Sequence, residues 1–413
     1  MLLQFSVENF RSIRERAVLS LEASSDKELP ENCVKLDSND EKCLKVITIF
    51  GANASGKSNL FKALTASIMM VRRSNGRQAG EPLNLITPFR FDDQTAGQPS
   101  SFEYVFIVNG KKYVYGFAAT ATRITKEYLY VYNSTRASTI FERNVDDSSE
   151  YYFPANLKRK LGALTRFNTE NKLFLATATA WNCEETKAPL MWFFNGINTY
   201  GSNYENLFVM SSELQAKDSS GSMKRFTLGI LREADINIAD FEMETREEPI
   251  PSGREDISAV HRQFFYSTLH RVGNDRDYQL DLSDESNGTV NLFFFAPFIK
   301  RAFESGETLC IDEFDVYLHP QLVQHLVRLF NDPEINRANA QLIVSTHTTA
   351  LLNLNDLRRD QVYFMEKDRK SGCSTLYSLD EFSPRLQEDI QKAYLLGRYG
   401  AVPKLGNGGE LSE

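Results

Sequence analysis

The segment Gly51-Ala-Asn-Ala-Ser-Gly56-Lys57-Ser58 has the spacing G-x-x-x-x-G-K-[ST]. Its glycines let the backbone curl until successive N–H groups point inward at phosphate oxygens. A helix beginning at Lys57 adds the positive end of its dipole. In this pattern Gly51, Asn53, Ala54, Ser55, Gly56 and Asn59 line a polyphosphate. Lys57 reaches the β- and γ-phosphates, and the Ser58 hydroxyl is a ligand for Mg²⁺. The chemistry expected of such a loop is ATP hydrolysis with Mg²⁺ as the metal.

Three further stretches carry groups suited to the same chemistry. In Leu309-Cys-Ile-Asp312-Glu313 an apolar run carries Asp312 to a strand tip, where a carboxylate holds Mg²⁺. Glu313 is then placed to polarise the attacking water as general base. Gln341-Leu-Ile-Val-Ser-Thr-His347 ends another apolar run in a histidine, whose neutral imidazole suits a γ-phosphate contact. Ser286, Asn287, Gly288 and Thr289 stand before an apolar helical stretch, where small hydroxyls and a glycine make an anion site. The same residue types also serve as an ordinary helix cap.

A frame must bring these groups to one edge, and the apolar spacing supplies it. A strand is expected over 3–8, a polar loop over 24–42, and a strand buried on both faces over 44–50. Leu60, Leu64, Ile68 and Val71 predict a helix over 57–72. Residues 102–143 alternate as strands, with Asn109-Gly110 as a hairpin turn. Helical spacing follows over 156–232, with an exposed loop at 216–223 and strands near 241–245 and 263–269. The last third alternates again: strands at 308–312, 341–346 and 361–366, helices at 320–330 and 385–396. That order implies a mainly parallel sheet with helices on its faces.

The chain has 413 residues, with 47 Lys and Arg against 55 Asp and Glu, a formal charge of −8. Apolar residues are 42% and charged ones 25%, which excludes a disordered or collagen-like chain. The length suits two or three domains, or one large domain carrying an insertion. Five cysteines, at 33, 43, 183, 310 and 373, form no zinc ligand set and no secreted framework. No signal peptide is expected, because Glu8 and Arg11 interrupt the first residues, and no apolar run spans a bilayer. A cytoplasmic protein with no membrane partner is expected.

Taken together, the phosphate loop, the Ser286–Thr289 turn in the place of a signature loop, the acidic strand and the histidine resemble an ATP-binding cassette split by an insertion. The resemblance implies an α/β ABC-type P-loop ATPase head with a mainly parallel sheet, an antiparallel β subdomain and a helical insertion. Residues 1–145 would form the first half of the head, 146–262 a mainly helical insertion for assembly and partner contacts, and 263–413 the second half. The opening Phe5-Ser-Val-Glu-Asn-Phe-Arg11-Ser12-Ile13 is similar to the first strand of SMC-like and RecF-like ATPases, which implies that Arg11 and Ser12 lie near the nucleotide. Glu313–Pro320, Arg359–Lys367 and Tyr394–Pro403 resemble ATPases of the overcoming-lysogenization-defect (OLD) type. The nearest likeness is to the stand-alone ATPase subunits of two-gene anti-phage systems, the AriA type of the PARIS system and RloA-type proteins.

That resemblance implies an ATP-sandwich dimer in which Ser286–Thr289 of one copy contact the ATP of the other, with higher homo-oligomers built from such dimers. It also implies a separate Toprim-type nuclease subunit, held by the ATPase and released on sensing a phage-encoded trigger protein. Two departures stand out: Asn287 occupies a position where Asp is expected, and the Q-loop residue is either Gln94 or Gln98. The middle region is too short and aperiodic for a long coiled coil. Two other readings share the cassette. One is a RecF/SMC-like repair ATPase that clamps DNA, with Arg72, Arg73 and Arg77 as a basic cluster. The other is the nucleotide-binding half of a transporter, which the insertion does not suit.

Overall fold

The apolar run before Gly51 forms the strand Val46–Phe50, and all five of its residues are buried. A strand apolar on both sides needs cover on both faces, and its neighbours supply it. In the computed structural model, which describes residues 1–36, 41–133, 136–201, 204–249, 260–273 and 276–403, this strand lies inside a six-stranded sheet. The order is Ile197–Tyr200, Thr308–Ile311, Gln341–Ser345, Val46–Phe50, Val362–Lys367 and Ser374–Ser378. The first five run parallel and the last antiparallel. The expected mainly parallel sheet is therefore present.

A second sheet of seven antiparallel strands holds the opening strand, Leu2–Glu8, between Ala17–Ser20 and Ser100–Val108. The Asn109-Gly110 turn joins Ser100–Val108 to Lys111–Ala119 as a hairpin, both turn residues at positive φ. Between the two sheets runs the helix Lys57–Arg73, burying Leu60, Leu64, Ile68 and Val71, the residues whose spacing predicts it. The Ser67 hydroxyl on this helix meets the Tyr104 hydroxyl at 2.6 Å. Phe106 stacks on Trp192, with ring centroids 4.1 Å apart.

Packing divides the chain into two compact units. One comprises 1–201, 305–314 and 324–413; the other comprises 202–304 and 315–323. The helices Phe174–Ala180 and Glu184–Asn195, expected in the insertion, have buried faces in the first unit's core. Ile197–Tyr200 is the edge strand of the parallel sheet. Four residues directly after a helix are too few to show a strand period, so this strand escapes pattern reading. In the second unit a three-stranded sheet (Asp240–Pro249, Val260–Val272, Arg276–Asp281) carries Phe241 and Tyr266. Their rings pack edge-on or tilted against Phe293 of the helix Asn287–Ser305 or against each other.

Two further expectations change. The helix expected over 385–396 is confined to Ile390–Leu395: Asp389 caps it by accepting from Lys392 N, and Pro384 lies upstream. The Arg72 and Arg77 guanidiniums are half-buried and bonded inward, Arg72 to the Phe193 and Ile197 carbonyls and Arg77 to Met70 Sδ. Only Arg73 of the basic cluster is exposed. The last ten residues, whose composition suggests a solvated tail, lie outside the described residues. Among the described residues, no helix is long and apolar enough to cross a membrane.

Glu127 shows how tightly the first unit is bound. Its buried carboxylate accepts from Phe174 N, Leu175 N and the Tyr115 hydroxyl, at 2.6, 2.9 and 3.0 Å. Burial raises its pKa, opposed by those bonds and by Arg143. Glu127→Ala strands three buried donors and should cost about 2–4 kcal/mol, read as a lowered urea midpoint at constant m.

Candidate functional site

The phosphate loop is built by close packing around its glycines. Gly56 sits at φ 114°, and a Cβ there would lie 2.3 Å from Ser374 Oγ. Gly51 has no room for a Cβ either, since one would meet the Met365 carbonyl at 2.3 Å. Ala54 is held at φ 62°, and Asn53 and Ala54 are exposed on the outer curve. The Ser55 side chain turns inward, and its Oγ is buried with no hydrogen-bond partner. An orphaned hydroxyl in a loop of inward N–H groups suits an anionic ligand. Lys57, buried, donates from Nζ to the Gly51 and Ala52 carbonyls at 2.6 and 3.2 Å, which holds the ammonium over the loop. Ser58 and Asn59 are half-buried at the first turn of the helix.

Ser12 reaches this loop. Ser12 Oγ accepts from Asn59 Nδ2 and from Ser374 Oγ, each at 2.8 Å, while Ser374 Oγ also lies 2.7 Å from the Ser55 carbonyl. The Arg11 side chain is exposed, its guanidinium 5.6 Å from the Phe10 ring centre. Gln94 and Gln98 are also exposed. The Tyr394–Pro403 string packs against the loop: the Ala401 carbonyl accepts from Ala52 N, and Tyr394 and Tyr399 stack on Phe364.

The acidic tip lies on the same sheet. Thr308–Ile311 and Val46–Phe50 flank Gln341–Ser345, with Ile311 beside Val344 and Ile49 beside Ser345. Because the three strands are parallel, their C-terminal ends share one edge. Asp312 leaves that edge with its N–H on the Tyr200 carbonyl, and Glu313 follows at φ 56°. Ser345 Oγ donates to Asp312 Oδ1 at 2.5 Å and accepts from Glu313 N at 2.7 Å. His347 stands two residues past the central strand, exposed.

In the second unit, Ser286 caps the helix Asn287–Ser305. Its Oγ accepts from Thr289 N at 3.2 Å and lies 2.9 Å from Thr289 Oγ1. Gly288 lets the Tyr317 carbonyl approach, since a Cβ there would lie 2.5 Å from that oxygen. Asn291 Nδ2 donates to the Val316 carbonyl. The capping role is thus realised, and it leaves the helix N-terminus bearing small polar groups.

Sequence reading passed over Ser345 and Ser374. Ser345 had a signal, the first hydroxyl after the apolar run Leu342-Ile-Val344; Ser374, far along the chain, had none.

Residues 46–353 match the family described as "AAA domain, putative AbiEii toxin, Type IV TA system". The chain belongs to this family. It is accordingly an ATPase with a nucleotide-binding P-loop head of ABC type, the α/β frame described above. No curated protein matches the chain. Two solved structures overlap it loosely. An Smc head bound to the C-terminal winged-helix domain of ScpA has 15% identity and a TM-score of 0.43, covering 91% of this chain and 97% of that one. An Smc head with an extended coiled coil, bound to the C-terminal domain of ScpA from Pyrococcus furiosus, has 13% identity and a TM-score of 0.42, covering 92% and 97%.

Gly56→Ala forces a side chain into the Ser374 hydroxyl and into a φ that L-residues resist. It should lower stability by about 1–3 kcal/mol and abolish binding of a fluorescent ATP analogue, as measured by thermal melting and anisotropy. Retained binding would mean the loop does not hold phosphate in this conformation.

Proposed function

We propose that two copies of the chain sandwich ATP and Mg²⁺, and that ATP binding and hydrolysis govern how the copies assemble. Lys57 and the loop amides hold the phosphates. Ser58 and Asp312 hold the metal, Glu313 orients and deprotonates water, and His347 contacts the γ-phosphate. Ser286, Asn287, Gly288 and Thr289 of the second copy close the site. The observation that carries this reading is the shared edge, where loop and acidic tip end parallel strands separated by one other.

The donor chemistry fits Mg²⁺, which usually takes one or two protein oxygens plus substrate phosphates and water. Among the described residues no group of three or more His, Cys, Asp or Glu could hold a metal by itself. Bound Mg²⁺ would neutralise charge developing on the phosphates. The protein's own share is to position the phosphates, exclude competing geometries and accept a proton at Glu313.

In this proposal the ATPase serves a bacterial anti-phage complex as sensor and scaffold. It holds a separate Toprim-type nuclease and releases it when a phage protein is sensed. The family description, with its putative toxin of a toxin–antitoxin system, supports a defence role.

Glu313→Gln keeps the shape and removes the base, so hydrolysis should fall by about 10²–10⁴ while binding persists. With ATP and Mg²⁺ the variant should double in mass by light scattering, and a Lys57→Ala, Glu313→Gln double variant should not. Hydrolysis at the wild-type rate, or an unchanged mass, would remove Glu313 or the sandwich from the reading.

A further inference from the structure

Ser345 lies where the acidic turn and the phosphate-loop strand meet, and nothing in the mechanism above uses it. It is fully buried. Its backbone pairs with Ile49 of the strand leading into the loop, and the next residue, Thr346, donates from N to the Ile49 carbonyl at 3.1 Å. On the other side three bonds reach the acidic turn. The hydroxyl donates to Asp312 Oδ1, accepts from Glu313 N, and the Ser345 carbonyl accepts from Phe314 N at 3.0 Å. A hydroxyl has one proton and two lone pairs, so donating to Asp312 and accepting from Glu313 uses it without conflict.

Glu313 needs such a clamp. It is a non-glycine residue at φ 56°, a conformation that persists only where surrounding bonds impose it. The bond to Asp312 engages one carboxylate oxygen, Oδ1, and so fixes the plane in which the carboxylate can turn. Among the described residues, the Ser345 hydroxyl binds two consecutive acidic residues, Asp312 through its side chain and Glu313 through its backbone.

We propose that Ser345 is the positioning residue of the metal and base pair, its single hydroxyl fixing the Asp312 carboxylate for Mg²⁺ and holding the Glu313 backbone in its left-handed turn. The proposal rests on the roles given to Asp312 and Glu313 above. Because Ser345 also adjoins the phosphate-loop strand through backbone pairing alone, changing its side chain leaves that pairing in place. Metal-dependent and metal-independent nucleotide binding should therefore separate.

The test uses the full chain carrying Glu313→Gln, so that hydrolysis does not enter, and a fluorescent ATP analogue titrated with Mg²⁺ or held in EDTA. Adding Ser345→Ala should raise the half-saturating Mg²⁺ concentration by about 10- to 100-fold, the usual cost of losing a partner that orients a metal ligand. Affinity in EDTA should not change, and Ser345→Thr, which keeps the hydroxyl, should restore the Mg²⁺ response. In the hydrolysing chain, Ser345→Ala should lower kcat more than it alters KM at saturating Mg²⁺. If Ser345→Ala does not fold, Ser345→Cys, close in volume and a weak donor, carries the same comparison. A Mg²⁺ titration superimposable on that of the Ser345 parent overturns the proposal, as does an equal loss of affinity in EDTA. Asp312→Asn run in parallel separates the two levels: if it too leaves the Mg²⁺ response unmoved, the metal role of Asp312 fails and takes this proposal with it.

Discussion

Parallel pairing of Thr308–Ile311, Gln341–Ser345 and Val46–Phe50 is the constraint on which the site depends. In an antiparallel arrangement neighbouring strands would send their ends to opposite edges, and the middle strand would carry Ser345 and His347 away from the edge that the acidic tip and the phosphate loop share. The parallel order has a cost in connections, since each crossover needs a dozen or more residues. The chain meets that requirement with the helix Pro320–Asn331 between two of the strands and with long excursions between the others. Burial of the strands on both faces then makes the register hard to slip: Ile47, Ile49, Leu309, Ile311, Leu342 and Val344 are all buried.

Hydroxyl groups set the fine geometry within that frame. Ser345 ties the acidic turn, and Ser12, in the turn after the opening strand, and Ser374, at the start of the last strand, tie the phosphate loop. Each of these side chains is small, buried and hydrogen-bonded, Ser12 to the Asn59 amide and the Ser374 hydroxyl, Ser374 to the Ser55 carbonyl and Ser345 to a carboxylate, so each fixes position without adding charge. The loop's net positive character is left to Lys57 and to the amides. That division suits electrostatic preorganisation, in which donors are fixed before substrate arrives.

Much of this was legible in the residues, for physical reasons. The phosphate loop carries its own structural demand: a backbone at φ 114° with no space for a Cβ at Gly56 must be glycine, and that glycine is visible in the string. Val46–Phe50 and the helix after it follow from apolar spacing alone. The short strand Ile197–Tyr200 was not visible, because its identity comes from pairing with Thr308–Ile311 and not from its own four residues. The Phe174–Asn195 helices showed their periodicity but not their address, since an amphipathic face does not say which core it joins. Arg72 looked like a surface cation, yet its guanidinium serves the Phe193 carbonyl near the end of the preceding helix and the Ile197 carbonyl at the start of that same edge strand. Of the two residues offered by the opening segment, Ser12 meets the loop because the turn at Asn9–Ile13, with Asn9 and Arg11 at positive φ, aims it there, and the Arg11 side chain is exposed.

The central claim is that one ATP site is assembled from two copies, and complementation between two defective variants tests it most directly. Lys57→Ala disables the phosphate loop, and Ser286→Arg obstructs the signature turn; each alone should be inactive. Mixed and allowed to exchange, they should regain hydrolysis, because a mixed pair contains one site whose loop and turn are both intact. A mixture as inactive as its parents, with exchange verified by mass, would contradict a site shared between chains.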